Sequence, residues 1–570
     1  MDSLKTQLYE GKQLIDSHQV ISFDIFDTLI VRDCSVPGDV FDFVEQTYCI
    51  SHTESGNMDF RNVRINAELA CYQQNMIPTL DDIYEQIPFD QSVKEELKLI
   101  EIETEKGLCT RNFLGWNLYQ YAMEQKKQII AVSDMYLSSD TLKDILFSNG
   151  FQIDQVYSSC EYGKNKKSGQ LFDQVIADLN LQKQNIVHIG DNNKSDIIGA
   201  KKAGLNSFLV QKQRKLLSYF KPKKKDIFAD KFLIPFVNNR ISFIHDRVSA
   251  LGFETCGPMV VGFCQWLHAK ITTEKYDKVF FCARDAKQTF EIYRTMYPEH
   301  KEITDYLYVS LKSLYTPYYS TTGEDQSEYA AQQLDNIRAY LNQIGCKGKI
   351  AVIDSGYGGH TQGMLSAILD GQCELHGLYM RISKNFYKNV QDKESYPYMF
   401  QAKPEVRSYI CGAFFETMIS ATHGRTNSYI TDTSGTITPE LGEENPQKEL
   451  LASFQKGIKL FFEEWSNSIL RDCMIPGQAV EDAFLEFAFF PKKEDVMMLG
   501  DITGGNESYD SIVIKREKGH YLKHPNDFFK DLKNTYWKGG FLCQCFNSIY
   551  PLICRIYLSL DGLVLNSRGF

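Results

Sequence analysis

Three short apolar runs each end in residues that suit phosphoryl chemistry. Val20-Ile-Ser-Phe23 ends at Asp24, and Gln128-Ile-Ile-Ala-Val132 ends at Ser133. Asn185-Ile-Val-His-Ile189 ends at Gly190-Asp191, with Asp196 shortly after. Runs of this kind, followed by polar residues and then helical patterns, indicate buried parallel strands. In an open α/β sheet, ligands bind beyond the carboxyl ends of the strands. If the three strands are neighbours, these side chains therefore converge. A lysine from Gly163-Lys-Asn-Lys-Lys-Ser-Gly-Gln-Leu-Phe172 lies between the second and third runs. One carboxylate could then attack phosphorus while a second helps hold Mg²⁺, and the hydroxyl and ammonium balance charge on the transferring oxygens. By themselves, Asp191 and Asp196 also suit a turn with side-chain caps, and His188 reads as a packed core histidine.

The elements that must position these residues follow from the pattern around them. Residues 1–215 alternate strands and helices, with a helical insertion at about 35–125 that includes Val40-FDFVEQ and Asp81-DIYEQI. Residues 212–225 hold seven Lys or Arg, and 212–228 reads as a basic linker, or else as a patch for an anionic surface. A second α/β alternation covers 229–430, and helical segments fill 445–570. The stretch 428–447, rich in Thr, Gly, Glu and Pro, reads as an exposed loop.

The 570 residues suffice for about two to four domains. A 43% hydrophobic and 24% charged composition excludes wholesale disorder. A net charge of −11 argues against nucleic acid as a partner. Fifteen dispersed cysteines without a CxxC pair suit reduced thiols in a cytoplasmic protein. The N-terminus carries no secretory pattern. The apolar tail from Gly540 to Leu565 is broken by Gln544, Pro551, Arg555 and Asp561. It reads as a packed helix or as a peripheral membrane contact.

The set Asp24-Ile-Phe-Asp27-Thr28-Leu29, Ser133, Lys166 and Gly190-Asp191-x4-Asp196 resembles the four motifs of the haloacid dehalogenase (HAD) superfamily. The resemblance implies a Rossmannoid parallel sheet with a helical type-one cap. It also implies Asp24 as nucleophile, and Mg²⁺ ligated by Asp24, the Phe26 carbonyl and Asp191, with Asp196 in support. Ser133 and Lys166 would hold phosphoryl oxygens. Lys166 stands six residues before Phe172, the family's usual spacing, with Lys164 and Lys167 as alternatives. The resemblance points to a Mg²⁺-dependent hydrolase or phosphoryl-transfer enzyme acting on a phosphorylated sugar or related metabolite. One position departs from the family's phosphatases, which carry Asp two residues after the nucleophile. Here that residue is Phe26, which can neither protonate a leaving oxygen nor activate water. Asp27 next to it suits a turn cap or a substitute acid. The dehalogenase and phosphonatase branches lack that acid as well.

Within 250–430, Gly257-Pro258-Met-Val-Val-Gly-Phe, Phe280-Phe-Cys-Ala-Arg284-Asp285, Asp354-Ser-Gly-Tyr-Gly-Gly-His-Thr-Gln362 and Phe415-Glu416 are similar to the C-terminal region of HAD-like proteins encoded among bacterial surface-polysaccharide genes. A second anion site is expected where Arg284 and Asp285 meet Asp354, Gly356, Gly358 and Gly359. Glycines let backbone N–H groups approach an anion. The same residues suit a ligand-free strand-to-helix turn. Two further readings therefore stand beside the first. One is a glycosyl- or phospho-transferase with its main site in the C-terminal domain, and the other is a non-catalytic scaffold. The oligomeric state stays open.

Overall fold

The structure is a computed structural model that describes residues 2–211, 219 and 228–567, apart from 54–55, 57, 75, 181, 357, 383–385, 391–393, 400–411, 505–509 and 518. The expected basic linker at 212–228 lies almost wholly outside the described residues. The chain forms two compact units, Met1–Ser218 with Ile227–Phe243, and Tyr219–Asp226 with Ile244–Phe570.

The first unit is built on a five-stranded parallel sheet. Its strands are β1 (Val20–Phe23), β4 (Gln128–Ser133), β5 (Gln155–Ser158), β6 (Ile186–Gly190) and β7 (Asn206–Leu209), in the order β5-β4-β1-β6-β7. All four residues of β1 are buried, as a central strand covered on both faces requires. Val20 pairs with Gln128 on one side and with Ile186 on the other. This register brings the carboxyl ends of β1, β4 and β6 side by side. Val20, Ile130, Val132, Leu171, Phe172 and Ile186 share one apolar cluster beneath them.

A short antiparallel pair, β2 (Ile30–Arg32) and β3 (Cys109–Arg111), closes the stem of the insertion. Between these strands lie the helices Asp39–Ser51, Phe60–Gln73, Leu80–Glu85 and Gln91–Leu108. Their shared interior holds a buried ion pair among apolar side chains such as Phe60, Ile83 and Leu97. Arg64, fully buried, donates to Glu101 through Nε (2.9 Å) and Nη2 (2.8 Å) and to Glu68 through Nη1 (3.0 Å). Tyr84 donates to the same Glu101 at 2.8 Å. The Arg64 guanidinium also lies 4.7 Å from the ring of Tyr136, just past β4, and the Leu80 N–H donates to the Tyr136 carbonyl at 2.9 Å. The cap is thus fastened to the loop that leaves β4.

Two boundaries differ from the sequence reading. The helix Phe113–Glu124, expected within the insertion, packs on the helix Asp2–Ser17 instead. Gly115 there approaches so closely that a Cβ would stand 1.9 Å from the Thr28 carbonyl oxygen. Residues 229–243, expected in the second domain, belong with the first unit. Arg240 donates to Asp33 (2.9 Å), and the Ser35 N–H donates to the Lys231 carbonyl (2.8 Å). Helical periodicity shows that a helix forms but not which sheet it covers, so neither boundary was visible in it.

The second unit has its own parallel sheet of β8 (Lys278–Cys282), β9 (Thr304–Leu307), β10 (Gly348–Asp354), β11 (Cys373–Tyr379) and β12 (Ser395–Pro397), ordered β12-β11-β10-β8-β9. Helices dominate beyond residue 447. The stretch expected as an exposed loop is in part a hairpin, Thr426–Thr431 against Ile437–Leu441. Tyr429 is fully buried on it, and Asp432 receives the Ser434 and Thr436 N–H groups to make its turn. Polar composition concealed the single inward-facing aromatic. No helix among the described residues is long and apolar enough to cross a membrane. On the last helix, Tyr550–Ser567, Leu552, Ile556 and Leu560 are exposed.

The buried Arg64–Glu101 pair generates a prediction. Arg64→Met should cost about 3–5 kcal/mol, because Glu101 is left buried and uncompensated. Arg64→Met with Glu101→Leu should recover most of that loss. Urea unfolding of the single and double variants measures both.

Candidate active site

Asp24 follows the central strand and is buried. Thr28 donates to its Oδ2 at 3.0 Å, and the Lys166 ammonium contacts its Oδ1. Lys166 reaches this position from the loop before the helix Gln170–Leu179, because its own N–H donates to Asp134 Oδ1 at 2.8 Å. Gly199 makes room for that loop, since a Cβ there would stand 2.1 Å from the Lys166 carbonyl oxygen. The same ammonium lies 2.7 Å from Asp196 Oδ1. Of the three candidate lysines, Lys166 alone enters the site in this way. Lys164 donates to Gln174 at 2.6 Å, and Lys167 is exposed.

Asp196 sits on the helical turn Asn193–Gly199 after β6. It receives the Asn192 N–H at 2.8 Å and faces His188 Nε2 at 3.3 Å. His188 is fully buried, and its Nδ1 lies 2.8 Å from the Ser22 hydroxyl. It is a core residue, as expected, but it also orients a carboxylate. Asp196 lies so close to β6 that a Cβ on Gly190 would stand 2.4 Å from its Cγ. One oxygen from each of Asp24, Asp191 and Asp196 lies within 4.8 Å of the other two.

Burial sets the electrostatics. It pushes the Asp24 carboxyl up to about 7; Lys166 pulls the other way, while Asp196 and Asp191 add to the rise. Burial disfavours the charge on Lys166 too, but Asp24, Asp196 and Asp134 outweigh it and hold the ammonium protonated. Asp196 stays well below the usual carboxylate range, because Lys166 and His188 more than offset its burial.

These side chains, with the buried Ser133, line a cavity of about 620 Å³ that the cap covers through Phe41, Ile65 and Glu68. Phe26 also lines it, and the Arg32 guanidinium stacks 4.0 Å from its ring centroid. Arg32 is in turn bound by both oxygens of Glu105, at 2.7 and 3.1 Å. Position 26 therefore presents an aromatic face where an acid was looked for. Asp27 is exposed, takes a left-handed φ of 59°, and is absent from the described lining. Its carbonyl accepts from Asn112 Nδ2 at 3.1 Å. Its place is in the turn. Arg32, Glu68 and Asp134 escaped the sequence reading, as did the role of Thr28 within its motif. Asp134 directly follows Ser133, so proximity could have suggested it, but nothing local marked Arg32 or Glu68.

In the second unit, β8 and β10 are parallel neighbours, so Arg284-Asp285 and Asp354-Ser355-Gly356 leave the same sheet edge. Asp285 accepts the Ser420 hydroxyl. The Gly356 N–H donates to Asp354 Oδ1 at 2.7 Å, and the Gly358 carbonyl accepts from Asn389 at 2.6 Å. Gly359, at φ 72°, starts the helix His360–Leu369. The expected residues thus share one sheet edge. The Gly356 N–H serves Asp354, and the buried Arg381 past β11 lies 3.8 Å from Glu416. Burial raises Asp285, Asp354 and Glu416; Asp285 adds to the rise of the other two, and Asp354 to that of Glu416. Arg381 was missed because nothing near it in sequence carries a motif.

Residues 164–231 match the profile of the HAD-hydrolase-like family. No curated protein matches the chain. Among solved structures, the chain is similar to YfnB, a putative HAD-hydrolase from Bacillus subtilis bound to magnesium, at 15% identity over 35% of this chain and 92% of that one, TM-score 0.27. It is also similar to L-2-haloacid dehalogenase from Xanthobacter autotrophicus, at 16% identity over 34% of this chain and 77% of that one, TM-score 0.26. A putative phosphatase from Clostridium difficile aligns at 17% identity over 34% of this chain and 84% of its own, TM-score 0.24.

Two outcomes are expected. Gly190→Ala should displace Asp196 and weaken divalent-cation binding at the first site by at least tenfold, read by calorimetry against wild type. In the second unit, burial and then Asp285 push Asp354 up to about 6 from 3.8. An acid with a raised folded pKa binds more protons folded than unfolded, so stability falls as pH rises through that window. Asp354→Asn should flatten the fall and raise Tm above pH 6 while leaving pH 4 little changed. Thermal melts across that range check it.

Proposed function

We propose that the first unit is a Mg²⁺-dependent hydrolase or phosphoryl-transfer enzyme whose nucleophile is Asp24. The observation that carries this reading is the Lys166 ammonium between Asp24 and Asp196 at the ends of β1 and β6, beneath a capped cavity. The donor set fits the metal. Three carboxylates meet within 4.8 Å, all with hard oxygen donors. Asp24, the Phe26 carbonyl and Asp191 would hold Mg²⁺, which when bound would draw charge from the phosphoryl oxygens.

The chain's own residues account for the attack on phosphorus. An Asp24 oxygen attacks phosphorus, and the bond from phosphorus to the leaving oxygen breaks. Lys166 and Ser133 hold the transferring oxygens, and the cap excludes water. Thr28 keeps the Asp24 carboxylate oriented. Phe26 supplies no proton to the leaving oxygen and no base for the water that must free Asp24. This favours substrates with good leaving groups. A phosphorylated sugar or related metabolite fits the cavity's size, and surface-polysaccharide biosynthesis is the setting suggested by the resemblance within 250–430.

A second reading rests on the second unit. Asp285, Asp354 and Glu416 with Arg381 form a polar cluster at a parallel-sheet edge, where a transferase site would lie. On that reading the first unit binds but does not turn over.

Asp24→Asn should abolish turnover of activated phosphate esters. Phe26→Asp should raise hydrolysis of ordinary sugar monophosphates by about 10²–10⁴-fold, the usual worth of general acid–base help. A metal-dependent activity screen on wild type and both variants decides. Wild-type hydrolysis of sugar monophosphates at roughly 10 s⁻¹ or above would overturn the assigned role of Phe26. Activity untouched by Asp24→Asn would move the chemistry to the second unit.

A further inference from the structure

A histidine-rich cluster lies at the opposite edge of the second unit's sheet from Asp285 and Asp354. His268 is in the closing turns of the helix Gly257–Glu274, which leads into β8. Glu299 and His300 form the single turn Pro298–His300, which leads into β9. One donor atom from each of His268, Glu299 and His300 lies within 4.8 Å of the other two. His268 Nδ1 is 3.8 Å from Glu299 Oε1. That nitrogen is inaccessible to solvent and makes no hydrogen bond, although Glu299 is half exposed.

We propose that His268, Glu299 and His300 form a binding site for a zinc-class divalent cation. Two imidazoles and a carboxylate are a donor set that Zn²⁺ accepts, with water in the fourth position. Bonds of about 2.0–2.2 Å place tetrahedral donors roughly 3.4 Å apart. The observed 3.8 Å between Nδ1 and Oε1 is within a small side-chain adjustment of that.

The surroundings already hold both rings. The Tyr297 ring stacks on His268 at 3.9 Å with 6° between the planes. The buried Tyr293 hydroxyl lies 2.6 Å from His300 Nδ1. With Nδ1–H donating to the Tyr293 oxygen, Nε2 keeps its lone pair for the metal. Metal-binding histidines commonly use an outer partner in this way. A bound cation would clamp the end of one helix to the turn before β9. The site is therefore read as a structural or regulatory one, independent of the chemistry at Asp24.

The test is calorimetric titration of Zn²⁺ into the EDTA-stripped full chain in excess Mg²⁺, which occupies hard oxygen sites. Wild type should bind one equivalent that His268→Gln and His300→Gln bind at least tenfold more weakly. Tyr293→Phe, which keeps all three ligands, should lose about 10–100-fold. Comparison with wild type cancels thiol binding elsewhere, and circular dichroism confirms that the variants fold. Substituting Co²⁺ should give visible absorption in wild type that both histidine variants lack. Identical Zn²⁺ isotherms for wild type and all three variants would overturn the site and leave an aromatic stack.

Discussion

One buried ammonium holds the first unit's candidate site together. Asp24 and Asp196 carry like charge and stand beside each other out of water, and Lys166 between them makes that arrangement tolerable. Removing charges from water costs several kcal/mol each, so a buried pair persists only when its remaining hydrogen bonds are met. Here they are met from the backbone and from neighbours, namely Thr28 on Asp24, Asn192 and His188 on Asp196, and Asp134 on the Lys166 N–H. Two glycines complete the condition. Gly190 admits Asp196 and Gly199 admits the lysine loop, each at a distance that no side chain would allow.

The cap repeats the same physics one layer out. Its helices do not meet around an apolar centre alone. Arg64 and Glu101 neutralise one another at their junction, and Arg32 and Glu105 do so where the stem meets the cavity. Such pairs demand specific geometry, which suits an element that must sit at a fixed height above a reacting group. Arg32 also supplies the face on which the Phe26 ring rests, so the loss of an acid at position 26 comes with a partner that stabilises the aromatic replacement. The second unit applies the sheet-edge arrangement with a different charge balance. Asp285, Asp354 and Glu416 gather there with Arg381, and among the described residues no lysine takes the place that Lys166 holds in the first unit.

Much of this was legible in the amino-acid sequence. Buried parallel strands read as unbroken apolar runs, and the residues that end them fall at one edge by topology, so Asp24, Ser133, Asp191 and Arg284-Asp285 could be placed from local pattern alone. Lys166 was preferred to its neighbours through the family resemblance, whose motif spacing it matches, and the structure sets its ammonium against Asp24 and Asp196. The second alternating region likewise gave its strands, because period and turn signals are local.

Tertiary structure alone decided the rest. The pairing of Arg64 with Glu101 and of Arg32 with Glu105 joins residues far apart in sequence, and an isolated Arg in a helical pattern reads as a solvated one. The membership of 229–243 in the first unit, and the place of Phe113–Glu124 beside the Asp2–Ser17 helix, depend on which surface each helix buries, a choice that periodicity does not encode. Asp27 read first as a turn residue and second as a substitute acid, and the structure gives it a left-handed φ of 59° and leaves it out of the described cavity lining. Local sequence determines which segments become strands and helices and what their ends carry. Burial and charge pairing between distant segments determine which of those ends share an environment, and that environment sets their chemistry.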